Sequence, residues 1–196
     1  MVREKLKLIK IFVIYTLLIS GFQSWTIADD IKDFQIEGIT IKDSLLNYFS
    51  LEEINNSEIQ MYRIPEKFKY ERIFLDNFNF KNFEYLAIDI KMNDNKYIIY
   101  GVTGMIDYKA KEECKMKQNE INNNIKSFFS VDPDIITVDS EYDKTGESKI
   151  HYISYKLNSG YIQVICHLYA EHTKIKSGLD LSIRTNEFQN WLDGVD

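Results

Sequence analysis

The fold of this chain is organised around residues 109–129, which read KAKEECKMKQNEINNNIKSFF. The positions suited to burial recur at steps of four, three, four and three residues and are Cys114, Gln118, Ile121, Ile125 and Phe128. Lysine, glutamate and asparagine fill most of the positions between them. This spacing is typical of an amphipathic helix that buries one face. The segment therefore predicts the longest helix of the chain, with Cys114 on its inward side.

The second of the two cysteines, Cys166, lies in a strand pattern over residues 161–170. Three aliphatic residues share its strand face: Ile162, Val164 and Leu168. Two inward-facing cysteines in an exported chain predict a disulfide between Cys114 and Cys166, which would fasten the helix to a sheet. Closing a loop of about 50 residues would stabilise the fold by roughly 4 kcal/mol. Two buried free thiols are the alternative.

The N-terminus has the pattern of an export signal. Basic residues occupy positions 3, 5, 7 and 10, and an apolar run follows at 11–22. Thr26 and Ala28 fit the positions that signal peptidase reads, which predicts that residues 1–28 are removed. The apolar run is shorter than the roughly 20 residues that span a bilayer, so the sequence favours cleavage over a retained anchor. Residues 29–196 are then a single domain, periplasmic or secreted.

The chain is acidic, with a formal net charge of −6. Loss of residues 1–28 would remove four basic residues and one acidic residue and change that charge to −9. Nucleic acids and anionic lipids are bound through lysine and arginine, so we expect neither as a partner. We also expect no stable membrane insertion after cleavage, and no motif implies a cofactor.

Alternating apolar and polar residues predict strands along most of the remaining chain. The predicted strands cover residues 59–64, 70–75, 85–92, 97–108, 135–142, 149–157, 161–170 and 179–184. Short helices are predicted at 40–50, with Thr40 as the N-cap, and at the C-terminal end, with either Thr185 or Asn186 as the N-cap. We therefore expect an α+β fold with an antiparallel sheet and helices on one face. A helix followed by a strand meander occurs twice, which suggests two units at residues 40–108 and 109–185.

The first of these units opens with GITIKDSLL at residues 38–46. This opening, the export signal and the helix-then-meander layout resemble the small envelope modules related to outer membrane lipoprotein A and to the β-lactamase inhibitor proteins. The layout is also similar to that of uncharacterised secreted proteins of AT-rich marine bacteria. The resemblance implies a role in holding another protein. The lipidated cysteine that the lipoproteins carry after the signal is missing here.

Histidines and carboxylates are the candidates for chemistry. The residue types that bind metals are Cys166, His167, His172 and His151, but strand alternation sends Cys166 and His167 to opposite faces. The acidic residues Asp139, Glu141, Asp143 and Glu147 lack the spacing of a calcium loop, which favours a solvated face. No serine is placed against a histidine and a carboxylate, so catalysis is not expected. A hydrolase that uses His151, His167 or His172 is the least favoured alternative.

Aromatic residues crowd into residues 70–85. The candidate binding patch consists of Phe78, Phe80, Phe83 and Tyr85, with filling of the core as the alternative. The sequence thus predicts an exported, disulfide-stabilised interaction module of the cell envelope, whose partner is a protein or an envelope component. The alternative function is binding of a small apolar or aromatic ligand in an aromatic cleft.

Overall fold

The computed structural model describes residues 31–62 and 68–195, so the predicted signal peptide lies outside the described part of the chain. The strands are β1 (Glu58–Met61), β2 (Tyr70–Leu75), β3 (Tyr85–Lys91), β4 (Ile99–Tyr108), β5 (Asp134–Asp139), β6 (Lys149–Lys156), β7 (Gly160–Leu168) and β8 (Ser177–Thr185). The α-helices are α1 (Leu51–Asn55), α2 (Lys111–Phe128) and α3 (Asn186–Leu192). Short 3₁₀ turns occur at Ile31–Asp33, Leu45–Asn47 and Glu171–Thr173.

These strands form one antiparallel sheet. Their order across the sheet is β1-β2-β3-β4-β8-β7-β6-β5. Each half is a meander of consecutive strands, and β4 pairs with β8 where the two halves meet. β1 and β5 are the two edges. The prediction of an α+β fold with an antiparallel sheet is confirmed.

The register of the ladders divides the sheet between two faces. One row of residues, each opposite the next on the neighbouring strand, lies on what we call the helix face: Ile73, Ile88, Val102 and Ile183. A second such row lies on what we call the open face: Arg72, Asp89, Gly101 and Arg184. The helix face is buried in the main hydrophobic core, together with α1, α2 and the N-terminal residues 31–45.

α2 lies across the helix face. Its buried side chains are Cys114, Gln118 and Ile125, as the spacing predicts. The pattern fails at the last position, because Phe128 is exposed and Phe129 is buried beside Phe34. Phe129 follows the helix and has an extended backbone, with φ −118° and ψ 133°. That change of backbone turns its ring inward in place of the ring of Phe128.

α3 packs on the open face, so the prediction of helices on one face is not confirmed. Phe188 lies against Gly101, where a Cβ atom would come within 3.1 Å of the Phe188 ring. Of the two residues predicted as its N-cap, Thr185 is the one observed, and its hydroxyl accepts a hydrogen bond from the N–H of Phe188. The apolar positions of this helix predict a buried side, but they do not specify which face of the sheet it meets.

The helix predicted at residues 40–50 is wrong. The N–H of Leu45 donates to the carbonyl of Tyr97, which holds the segment beside the start of β4 and leaves only a 3₁₀ turn. The helix of this region is α1, which begins after a capping box formed by Ser50 and Glu53. A long-range backbone contact thus overrides a weak local capping signal.

Candidate functional site

A disulfide joins Cys114 of α2 to Cys166 of β7, as predicted. The two Cα atoms lie 6.0 Å apart, and both residues are fully buried. The bond joins α2 to the helix face, and while it is intact neither sulfur is a free thiol. Within the described residues, no group of three or more His, Cys, Asp or Glu side chains is arranged to hold a metal ion.

The predicted aromatic patch is divided between the two faces of the sheet. Phe78 and Phe80 have ring centroids 6.1 Å apart and pack, half-buried, against the core of the helix face. Phe83 lies over Gly104, since a Cβ atom there would fall 2.6 Å from its ring. Tyr85 faces the open side of the sheet, where it lines a groove. The structure therefore brings Phe78 and Phe80 together and separates Tyr85 from the three phenylalanines.

This groove crosses the open face above Gly178 and has a volume of about 420 Å³. Gly178 pairs with Asp107 of β4 on one side and with His167 of β7 on the other. Because Gly178 has no side chain, the register leaves space between those two residues. Tyr85 and Tyr169 complete the walls.

Ion pairs and hydrogen bonds converge on the groove. His167 Nε2 lies 3.1 Å from Asp180 Oδ2, and Lys176 Nζ donates to Asp107 Oδ2 over 2.8 Å. Burial, together with the charge of Asp107, raises the pKa of Tyr85 to about 12, so this hydroxyl remains a hydrogen-bond donor. Among the residues that the structure describes, those that line the groove include no serine, threonine or cysteine. The described lining therefore offers no hydroxyl or thiol nucleophile of the serine or cysteine type.

The other two histidines hold elements of the fold together. His151 Nδ1 lies 2.7 Å from Oε1 of Gln118, the buried amide on the inner side of α2. His172 Nε2 lies 3.1 Å from Asp143 Oδ1 at the hairpin between β5 and β6. Asp143 was predicted to be solvated with its acidic neighbours, but it is buried. Hydrogen bonds, first of all from Thr145, hold the pKa of Asp143 well below its usual range.

β5 is an edge strand whose six residues are all exposed. Ile135, Ile136 and Val138 have exposed fractions of 58%, 56% and 41%. Ile135 pairs with Ile153 on the helix face, whereas Ile136 and Val138 lie on the open face. Both faces of this strand thus carry uncovered apolar surface.

Strand alternation in the sequence predicts β5 but not its exposure, because alternation does not reveal whether a strand has a neighbour on each side. The groove was also missed, although a signal for it exists. His167 and Asp180 occupy polar positions of two alternating strands, β7 and β8. Pairing those strands places the two side chains on the same wet face.

No protein-family model, no characterised protein and no solved structure matches this chain. Among the helices of residues 31–62 and 68–195, none is both long enough and apolar enough to cross a membrane.

Proposed function

We propose that this protein is an exported, disulfide-stabilised interaction module that binds an extended segment of another protein along β5, with no catalysis of its own. The observation that carries the proposal is the exposure of every residue of β5, with apolar side chains on both faces. An exposed apolar edge is a template for pairing with another chain, and proteins usually blunt such edges with charges or proline. The centre of β5, residues 135–138, contains neither.

The backbone of β5 is directed to receive a strand. The N–H of Ser140 donates to the carbonyl of Ser148, one residue beyond the β5–β6 ladder. This bond shows which residues of β5 direct their backbone N–H and C=O groups toward β6. Every second residue back from Ser140 therefore bonds toward β6, whereas Ile135 and Thr137 turn their N–H and C=O groups outward. An added strand would bond to these groups and cover the apolar side chains on both faces.

The ends of β5 favour a partner segment with basic ends. Asp134 and Asp139 flank the aliphatic centre of the strand. Two copies of this chain paired antiparallel at β5 would bring Asp134 of one copy near Asp139 of the other at each end of the pair, on opposite faces of the sheet, and like charges that approach each other disfavour pairing. A segment with lysine or arginine at those two positions and β-branched residues between them complements the edge.

The layout and the N-terminal pattern support this role. The N-terminal pattern implies delivery to the periplasm or the exterior, where a disulfide such as Cys114–Cys166 persists. A helix precedes a four-stranded meander in each half of the chain, and we extend the proposal to two such units at residues 40–108 and 109–185. The resemblance to envelope modules that hold other proteins points the same way, by analogy.

Selection from a displayed library of extended peptides, with the purified disulfide-bonded protein as bait, tests the proposal. We expect enriched sequences to have alternating β-branched residues between basic ends. Thr137→Pro removes an outward N–H without removing a bond to β6, so it should abolish the enrichment. Thr137→Ala keeps that N–H and is the matched control. Equal enrichment on the Thr137→Pro variant, or none on the native protein, would overturn the proposal.

The groove above Gly178 supports a second candidate function, binding of a small aromatic ligand. Tyr85 and Tyr169 provide flat apolar walls, and the pairs formed by His167 and Asp107 provide a few convergent polar groups, which is typical of ligand sites. An NMR screen of aromatic fragments tests it. Binding should survive Thr137→Pro and be lost in Tyr169→Ser, which removes one wall. Fragments that bind equally well to the Tyr169→Ser variant would exclude this groove.

A further inference from the structure

Three lysines from separate segments meet at Glu187, near the start of α3. Lys91 Nζ lies 2.8 Å from Glu187 Oε1, while Lys69 Nζ and Lys42 Nζ each lie 3.9 Å from a carboxylate oxygen. Lys42 and Lys91 also stand over the ring of Tyr100, at 4.4 Å and 4.6 Å from its centroid. We call Lys42, Lys69 and Lys91 the lysine cluster.

Two members of the lysine cluster, Lys42 and Lys91, carry more positive charge than Glu187 can neutralise. Among the described residues, Glu187 is the one acidic side chain within ion-pair distance of Lys42 or Lys91. A hydrogen bond to Glu187 and another to Tyr100 raise the pKa of Lys91 to about 12, so Lys91 is charged under all ordinary conditions. Two ammonium groups that share one carboxylate repel each other, and a further anion would relieve that repulsion.

The ring of Tyr100, which Lys42 and Lys91 contact, is held by packing against another aromatic ring. The rings of Tyr100 and Tyr70 meet edge to face with centroids 5.3 Å apart. Lys42 has a left-handed backbone with φ 70°, which residues other than glycine avoid. The N–H of Lys42 donates to the carbonyl of Ile99 over 2.8 Å, which holds this backbone in place.

We propose that the lysine cluster binds a tetrahedral oxyanion, a phosphate or sulfate group, with Lys42 and Lys91 as the principal donors and Lys69 as the third. Each ammonium group has three N–H donors, of which Glu187 can accept only some. The ring of Tyr100 orients the two principal ammonium groups through cation–π contacts. The site is separate from β5 and from the groove above Gly178, so it does not depend on either function proposed above.

Calorimetric titration of the disulfide-bonded protein with inorganic phosphate, at constant ionic strength, tests the site. We expect saturable binding that Lys42→Gln and Lys91→Gln each weaken by about tenfold, the loss expected for one charge-assisted hydrogen bond. Lys126→Gln, on the exposed side of α2, removes the same charge elsewhere and should leave the affinity unchanged. The absence of saturable binding, or an equal loss in Lys126→Gln, would overturn the proposal.

Glu187→Gln gives a second test. Its expected result is a gain in affinity, which a misfolded variant would not show. Removal of the carboxylate leaves the lysines without their counter-charge, so phosphate should bind more tightly to this variant and raise its melting temperature more than that of the native protein. An unchanged or smaller stabilisation by phosphate would contradict the site. Glycerol 3-phosphate distinguishes the source of the anion: binding equal to that of phosphate indicates a phosphate group carried on a larger molecule, and binding of phosphate alone indicates the free ion.

Discussion

Asp89 is a single residue on which much of the open face depends. It is fully buried, and its oxygens accept hydrogen bonds from Arg72 Nε at 2.8 Å, from Arg72 Nη2 at 3.0 Å and from the Tyr62 hydroxyl. Asp89→Asn leaves the guanidinium of Arg72 without its counter-charge. Breaking a buried pair from one side typically lowers the free energy of unfolding by about 3–5 kcal/mol. Urea denaturation of the disulfide-bonded variant would measure this loss.

Asp107 provides the control for that prediction. It also pairs with a cation, Lys176, at 2.8 Å, but Lys176 is largely exposed to water. Asp107→Asn should therefore lower the free energy of unfolding by about 1 kcal/mol or less. Similar losses in the two variants would show that burial does not set the contribution of Asp89.

His151 gives the protein a stability that depends on pH. Burial, followed by the charge of Lys115, lowers the pKa of His151 from its ordinary value of 6.5. As the pH falls below that value, the unfolded chain takes up the proton before the folded chain does, so the free energy of unfolding decreases. We expect the melting temperature to fall between about pH 7 and pH 5, and to fall less in His151→Asn.

The titration of Asp143 does not affect this comparison, because it occurs at lower pH. Asp143 also has a lowered pKa, and its contribution to stability is present above its unfolded value of 3.8 and is lost as the pH falls through lower values. A difference between the native protein and His151→Asn at about pH 5 to 7 therefore reports on the histidine. Identical pH profiles would contradict the assignment.

At the scale of elements, the bond between α2 and β7 is the main crosslink of the fold. It spans 52 residues of sequence, and on the chain-entropy model a loop of that length stabilises the native state by about 4 kcal/mol. Replacement of both Cys114 and Cys166 by alanine should lower the free energy of unfolding by up to about that amount. Reduction of the native protein should give a similar loss and should leave the double variant unchanged. A double variant as stable as the oxidised protein would contradict this role.

The elements that the sequence predicted are those whose pattern is long and self-consistent. α2 repeats its apolar spacing over four intervals, and β7 alternates over its whole length, so both were found with bounds close to the observed ones. The segment after Thr40 has only a weak capping signal, and contacts with β4 override it. The face that α3 covers depends on Gly101, a residue 85 positions before Asn186 in the chain, and no local pattern carries that information.

At the scale of the whole molecule, the candidate sites were the least predictable part. The disulfide was predicted because the chain has two cysteines at positions suited to burial and an N-terminal pattern that predicts export. The exposure of β5, the groove above Gly178 and the lysine cluster each arise from strand order or from loops that meet in space. The aromatic patch was predicted from crowding along the sequence, but Phe83 precedes β3 in an irregular segment that turns its ring toward Gly104, whereas Tyr85 in β3 lies on the open face.

The charges at the ends of β5 should keep two copies of this protein apart. Antiparallel pairing of two copies would bring Asp134 of one copy near Asp139 of the other twice, once at each end of the interface, with the two side chains on opposite faces of the sheet. Asp134→Lys replaces both repulsive approaches with attractive ones, so this variant should associate about threefold more tightly than the native protein, or more. Sedimentation velocity over a range of concentrations would show a monomeric native protein and a self-associating Asp134→Lys variant.

Two further variants locate that association on β5. Asp132→Lys makes the same change of charge just outside the strand and should remain monomeric. Thr137→Pro in the Asp134→Lys background removes an outward N–H of β5 and should restore the monomer. If the native protein were already a dimer that Thr137→Pro dissociates, the edge would be occupied by a second copy, and the proposal that β5 receives a basic-ended segment of another protein would be wrong.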